Sequence, residues 1–130
     1  QSDAVFGLTG TDQVYGNKQN DTLYGGIEND SLFGGQHDDL LYGQEGDDRV
    51  DGNRGNDTLF GGNGSDTFVI SKGGDWVMDF SITEDKIETA DAYSAIAQAI
   101  SGGNLMLTDS DGDTLTLLGV SSTLTEEYFL

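Results

Sequence analysis

The chain has no cysteine and no proline, a single histidine, and five lysines and arginines against 24 acidic residues. Without cysteine there is no disulfide framework, and the redox compartment is left open. A net charge of −19 repels nucleic acid and anionic membrane surfaces, and five scattered cations supply no basic patch for phosphate. Nucleic acid is therefore not an expected partner. No apolar run approaches the roughly 20 residues of a membrane span, and no charged segment followed by an apolar one opens the chain, so neither membrane insertion nor an N-terminal address is expected. A lone His37 without Cys cannot build the usual nucleophile or zinc constellations, and H-E-x-x-H is missing. The chain is not expected to be an enzyme; a catalytic domain would lie upstream in a longer protein. Leu, Ile, Val and Phe make only about 24% of the residues, little more than charged disordered chains carry. Folding needs help from elsewhere.

What is abundant is glycine, and it is unevenly placed, with 16 of the 20 before Trp76. Glycine recurs every nine residues at 7, 16, 25, 34, 43, 52 and 61, and five residues after each stands Asp: Asp12, Asp21, Asp30, Asp39, Asp48, Asp57 and Asp66. Two residues after each Asp comes a large apolar residue, from Val14 and Leu23 to Leu59 and Phe68. Asp3 with Val5 and Asp75 with Val77 extend the phase at either end. The unit Gly61-Gly62-Asn63-Gly64-Ser65-Asp66-Thr67-Phe68-Val69 resembles the calcium-binding nonapeptide G-G-x-G-x-D-x-U-x of RTX proteins.

The unit can also be read from its residues. The three residues around the apolar position make a short strand with one side chain inward, and the six rich in Gly, Asn and Asp make a turn. Two units form an 18-residue coil, and stacked coils give two parallel sheets about 4.8 Å per rung apart. Only two apolar side chains per coil point inward, too thin a core to offset the ordering of the whole coil. Stacking also brings each Asp beside the Asp two units on, so that the carboxylates repel unless a cation lies between them. An all-oxygen shell without His or Cys selects calcium. The candidate ligands are the carboxylates of Asp12, Asp21, Asp30, Asp39, Asp48, Asp57 and Asp66, with Asp3 and Asp75 at the ends. The turn carbonyls of Gly16, Gly25, Gly34, Gly43, Gly46, Gly52, Gly55, Gly61 and Gly64 complete the shell. Bridging pairs Asp12/Asp30, Asp21/Asp39, Asp30/Asp48, Asp39/Asp57 and Asp48/Asp66 give about five ions, and the end pairs Asp3/Asp21 and Asp57/Asp75 raise this to about seven. Five would bring the net charge to about −9, making binding and folding one event.

The repeats are not uniform. Gln19, Glu28 and His37 replace the fourth-position Gly, and Leu8, Asn17, Gln44 and Asn53 the second; strained turns are expected there, with His37 a surface turn residue. The outward positions of alternate units stack Phe6, Tyr24, Tyr42 and Phe60 on one sheet and Tyr15, Phe33, Asp51 and Val69 on the other. The first stripe has two readings: cross-strand stabilisation or a covered face, and a binding surface for a neutral glycan.

After Thr67 ordinary strands are expected at 68–70 and 76–80 around a Gly73-Gly74 turn. A helix is expected over 90–101, with Thr89 as N-cap and Ile96 and Ile100 inward, followed by a hairpin of 104–108 with 114–118. Asp109, Asp111 and Asp113 read as a solvated turn, because Gly112 and the absent final Glu do not suit an EF-hand.

The stretch Asp75-Trp76-Val77-Met78-Asp79-Phe80 and Glu84-Asp85-Lys86-Ile87 is similar to the segment after the repeats in RTX exoproteins such as serralysin-type proteases, and Thr125-Glu126-Glu127-Tyr128-Phe129-Leu130 resembles the tail of type I secretion substrates. The resemblance implies a secreted, extracellular protein, exported unfolded by the type I machinery and folded outside by calcium. The expected fold is all-β: a right-handed parallel β-roll over 1–78 and, over 79–130, a capping and secretion segment of strand, hairpin and one short helix. The other classes of function kept open are a carbohydrate-binding module and a self-assembling surface or adhesion element.

Overall fold

A computed structural model describes residues 2–90 and 95–130. Thirteen strands follow one another: β1 (Ala4–Thr9), β2 (Gln13–Tyr15), β3 (Thr22–Ile27), β4 (Ser31–Gln36), β5 (Leu40–Glu45), β6 (Arg49–Gly55), β7 (Thr58–Asn63), β8 (Thr67–Val69), β9 (Lys72–Val77), β10 (Lys86–Glu88), β11 (Ala97–Ser101), β12 (Asn104–Thr108) and β13 (Thr114–Leu117). Odd strands β1 to β9 pair in parallel in chain order, as do even strands β2 to β10. The register is one full coil almost throughout: Leu23 faces Leu41, Leu41 faces Leu59, Leu32 faces Val50. The apolar position of each unit lies between the two sheets. Leu23, Leu32, Leu41, Val50, Leu59, Phe68 and Val77 are fully buried. This is a parallel β-roll of 18-residue coils, and the period-nine pattern is its cause: one inward residue per half-coil, repeated at the rung spacing. No helix among the described residues is long and apolar enough to cross a membrane.

The strands are longer than the three residues expected. After the Thr-Leu-Tyr of β3 the chain bends at Gly25-Gly26 and pairs again, Gly26 with Gln44 and Ile27 with Glu45. Gly26 adopts φ 122°, open only to a residue without Cβ. The Gly73-Gly74 turn is also corrected: both residues lie inside β9, where Gly73 pairs with Gly55. A Cβ on Gly73 would collide with the Gly55 carbonyl, so the pair is kept by the stack and not by a reversal.

Sheet order continues from β9 to β13 in parallel, Leu117 opposite Val77, and then antiparallel through β12 to β11. The 104–118 hairpin is thus present, its loop closed by Asp109 Oδ1 accepting the N–H groups of Asp111 and Asp113 at 3.0 Å. The helix over 90–101 is overturned where the structure describes it. Ala97–Ser101 is a strand paired with β12, Ile96 is buried, and Ile100 is 48% exposed; residues 91–94 lie outside the described residues. A short 3-10 turn, Glu126–Tyr128, precedes Phe129, which bridges to Ile87.

All seven replacements of glycine are in the left-handed region: Leu8, Asn17, Gln44 and Asn53 at the second position and Gln19, Glu28 and His37 at the fourth, with φ from 69° to 85°. Each costs about 1–2 kcal/mol of backbone strain, against about 0.5–1 kcal/mol lost to unfolded-chain entropy when glycine is restored. The double variant Glu28→Gly, His37→Gly should therefore melt several degrees higher in calcium than the parent. An unchanged or lower Tm by differential scanning calorimetry would show that these turns are unstrained.

Candidate metal ladder

Every unit ends its turn on an aspartate, and the coil folds that side chain inward beneath the next turn. Asp21, Asp30, Asp39, Asp48, Asp57, Asp66 and Asp75 are buried, Asp12 is half-buried and Asp3 is exposed. One carboxylate oxygen has a defined task. Oδ1 of each Asp accepts the backbone N–H of the Asp one coil earlier, at 2.7–2.9 Å, for Asp21, Asp30, Asp39, Asp48, Asp57, Asp66 and Asp75. Stacking therefore does bring the paired aspartates together, but through side chain to backbone.

The other oxygen has none. Oδ2 of Asp12, Asp21, Asp30, Asp39, Asp48 and Asp57 is out of contact with solvent and has no hydrogen-bond donor. A buried ionised oxygen without a partner is costly, and here it recurs at six successive half-coils. The surroundings are oxygen-rich. A Cβ built on Gly34 would stand 2.6 Å from Asp39 Oδ2 and 2.8 Å from the Gly52 carbonyl oxygen; the first-position Gly leaves its side of the corner to carboxylate and carbonyl oxygens. The same crowding by an aspartate Oδ2 and by the next coil's carbonyl is found at Gly16, Gly25 and Gly43. No three His, Cys, Asp or Glu side chains converge among the described residues, so a hard cation here would take its shell from pairs of carboxylates and from main-chain carbonyls.

Burial pushes the carboxyls of Asp39 and Asp48 up to about 6 and that of Asp66 up to about 7, and the aspartate stacked one coil away adds to the rise while the N–H donor opposes it. Asp30, Asp57 and Asp75 are raised for the same leading reason, loss of water.

At the C-terminal end protein donors replace the missing partner. Asp75 Oδ2 accepts from Ser71 Oγ at 2.9 Å. Asp85, overlooked in the sequence, takes the next rung: Oδ1 accepts the Asp66 N–H at 2.9 Å and Oδ2 the Ser81 N–H at 2.8 Å. Its signal was Asp85-Lys86-Ile87, the Asp-x-apolar triplet, hidden because it stands one position beyond a full coil from Asp66. The fifth turn position was also missed. Asp47 N–H donates to Asn29 Oδ1 at 3.0 Å and Ser65 N–H to Asp47 Oδ1 at 2.8 Å, a second, exposed ladder of opposite polarity. Among the glycines named as carbonyl ligands, Gly25, Gly34, Gly43, Gly52 and Gly61 are buried at the first position, whereas Gly46, Gly55 and Gly64 occupy fourth-position corners with positive φ. His37 is exposed.

The stripe Phe6, Tyr24, Tyr42 and Phe60 forms one stack, with ring centroids 4.8, 5.2 and 4.7 Å apart and planes within 18°. Each inner ring has both faces against its neighbours.

No curated protein matches the chain in sequence. In structure it is similar to the AlgE6R3 subunit of the mannuronan C5-epimerase from Azotobacter vinelandii, at 25% identity over 94% of this chain and 80% of that one, with a TM-score of 0.66. It is similar also to the AlgE6R2 subunit of that enzyme, at 26% identity over 100% of this chain and 92% of that one, with a TM-score of 0.55. The family model described as RTX calcium-binding nonapeptide repeat matches residues 2–32 and 33–68. With the period of nine, the aspartate ladder and the roll in agreement, the chain belongs to the RTX calcium-binding nonapeptide repeat family.

Proposed function

We propose that this chain is a non-catalytic module whose folding is driven by calcium ions held between stacked turns. The observation that carries this is the row of six buried Oδ2 atoms without a donor. Asp12/Asp30, Asp21/Asp39, Asp30/Asp48, Asp39/Asp57 and Asp48/Asp66 hold about five ions, with turn carbonyls of the first- and fourth-position residues completing each shell. The outer pairs Asp3/Asp21 and Asp57/Asp75 account for a count of up to about seven. Residues 1–78 form the calcium roll and 79–130 its cap. In support of the cap, the later segment supplies nine of the eighteen buried apolar residues, among them Ile87, Leu105, Leu107, Leu115 and Leu117, and lays β10 and β13 on the last rungs. Arg49 ties the two parts together, donating from Nε and Nη2 to Glu88 at 2.8 and 2.9 Å. In a longer extracellular protein the module would follow an upstream domain, leave the cell unfolded through type I secretion and fold on meeting calcium.

At neutral pH and above, calcium added to chelator-treated protein should convert a disordered far-UV circular dichroism spectrum to a β spectrum cooperatively, at roughly 0.1–1 mM, with magnesium ineffective. An identical spectrum and Tm with and without chelator would overturn the reading. Glycan binding along the Phe6 to Phe60 stripe has less support, because the inner rings face one another and leave only edges for a sugar.

A further inference from the structure

The outer faces of the two sheets differ in charge. On the even strands the outward residues beside the inward position include Arg49, Asp51, Lys86 and Glu88. On the odd strands and the hairpin that extends them there are none, although 22% of the chain is charged. This second face has two columns. One begins Ala4, Thr22, Leu40 and Thr58 and continues from Trp76 through Thr116 and Met106 to Ala99, each opposite the next. The other is the ring stack of Phe6, Tyr24, Tyr42 and Phe60, prolonged by Met78 and Leu118, whose N–H groups donate to the carbonyls of Leu59 and Val77 in the neighbouring strands. Phe6 is 58%, Trp76 45% and Met106 39% exposed. An uncharged, largely apolar face that spans eight strands of one sheet is more than the scattered apolar residues of an ordinary surface.

The occupant has to tolerate the rest of the molecule. A cationic partner would be drawn to the turns, where Asp38 and Asp47 stand exposed, and not to a face without charge. A second copy, itself of net charge −19, is repelled except where two uncharged faces meet, and this face is complementary to itself. A two-fold axis parallel to the roll axis keeps rung opposite rung and runs the strands antiparallel across the gap. It lays the ring column of each copy over the smaller column of the other, Tyr24 over Thr22 and Phe60 over Thr58. A two-fold along the strands would instead set ring upon ring. We propose that two copies pair through the odd-strand face as a closed, isologous dimer, with the facing sheets about 10 Å apart as in a β-sandwich. About 20 outward residues a side stand at the lower bound of the roughly 20–30 of a standard interface, so the pair is a reversible one. The contact rests on the calcium-folded roll, because the two columns exist only when the coils stack.

The test is sedimentation velocity of the protein in saturating calcium from micromolar to millimolar concentration, with circular dichroism of the same samples reporting separately whether the roll has formed. Expected is a monomer that passes to a dimer and no further, more readily as added salt screens the like charges, with amide chemical shifts on dilution confined to the odd strands and to β11, β12 and β13. The double variant Thr22→Glu, Thr58→Glu puts carboxylates under the rings of the other copy and leaves the ring stack in place; its association should be about tenfold or more weaker. Gln13→Glu, Gln36→Glu adds the same charge on the even-strand side and should change association less than about twofold. A rolled protein that stays monomeric to millimolar concentration, growth beyond two copies, dilution shifts centred on Tyr15 and Phe33, or equal weakening in both variants would each overturn the contact. A chain with no β spectrum in calcium would overturn the calcium-driven roll itself, and the contact with it.

Discussion

Replacing Asp39 with alanine should raise the calcium midpoint of folding about tenfold or more, whereas Asp3→Ala should change it less than about twofold. Asp39 is buried, its Oδ1 accepts the Asp21 N–H at 2.7 Å, and its Oδ2 is one of the six without a donor. In the bridging scheme it serves two ions, one shared with Asp21 and one with Asp57. Asp3 is exposed and would serve a single ion, shared with Asp21. Truncation at 39 removes a charge-assisted hydrogen bond and a ligand of two sites; truncation at 3 removes a solvated carboxylate. Calcium titrations of the two variants followed by circular dichroism compare them directly. Equal midpoints would mean that the ions are not shared between neighbouring coils.

The second large effect is one of pH, and it reverses with calcium. Asp39, Asp48 and Asp66 have carboxyls raised by burial to about 6, 6 and 7, from an unfolded value near 4. A group whose folded pKa is raised favours the folded state fully below the unfolded value, and that contribution is lost as pH rises through the folded value. In chelator, then, the roll should be most stable near about pH 4 and should lose stability between about pH 4 and pH 7. With calcium present the protons compete with the ion, so the calcium midpoint should fall as pH rises across the same window. Far-UV circular dichroism in chelator at stepped pH, paired with calcium titrations at each pH, measures both arms. A β content in chelator that rises from pH 4 to pH 7 would contradict the burial of these ladder carboxyls.

The roll was legible because one constraint acts on every coil. Parallel pairing at a fixed step of one coil requires like residues at like positions, so the inward Leu23, Leu41 and Leu59 and the aspartates beneath them are written in the sequence as a period. The failures came where a residue answers to a partner remote in sequence. Ala97–Ser101 consists largely of good helix formers, yet Gln98 pairs with Leu107 and its side chain exchanges hydrogen bonds with the Leu124 backbone at 2.9 and 2.7 Å; local propensity yields to the sheet. Gly73-Gly74 has the composition of a turn, and only the carbonyl of Gly55 above it explains the glycine. Asp85 escaped because an insertion of one residue breaks the count while leaving the rung intact. The second oxygens of the aspartates were invisible for a different reason: periodicity gives the neighbour of a side chain, not which of its atoms lacks a donor.

The constant step between coils makes the molecule a ruler. Excising two adjacent units among the full repeats keeps the phase, aspartate under aspartate and inward apolar residue on inward apolar residue, and shortens the object by one notch. Excising a single unit keeps the local grammar of Gly, Asp and Leu but exchanges the two flanks downstream of the cut. Phe6, Tyr24, Tyr42 and Phe60 would then no longer lie on one side, and their stack of rings would be split. Length can therefore change by whole turns without moving a residue from one flank to the other, and by half turns only at the expense of the outer stripes.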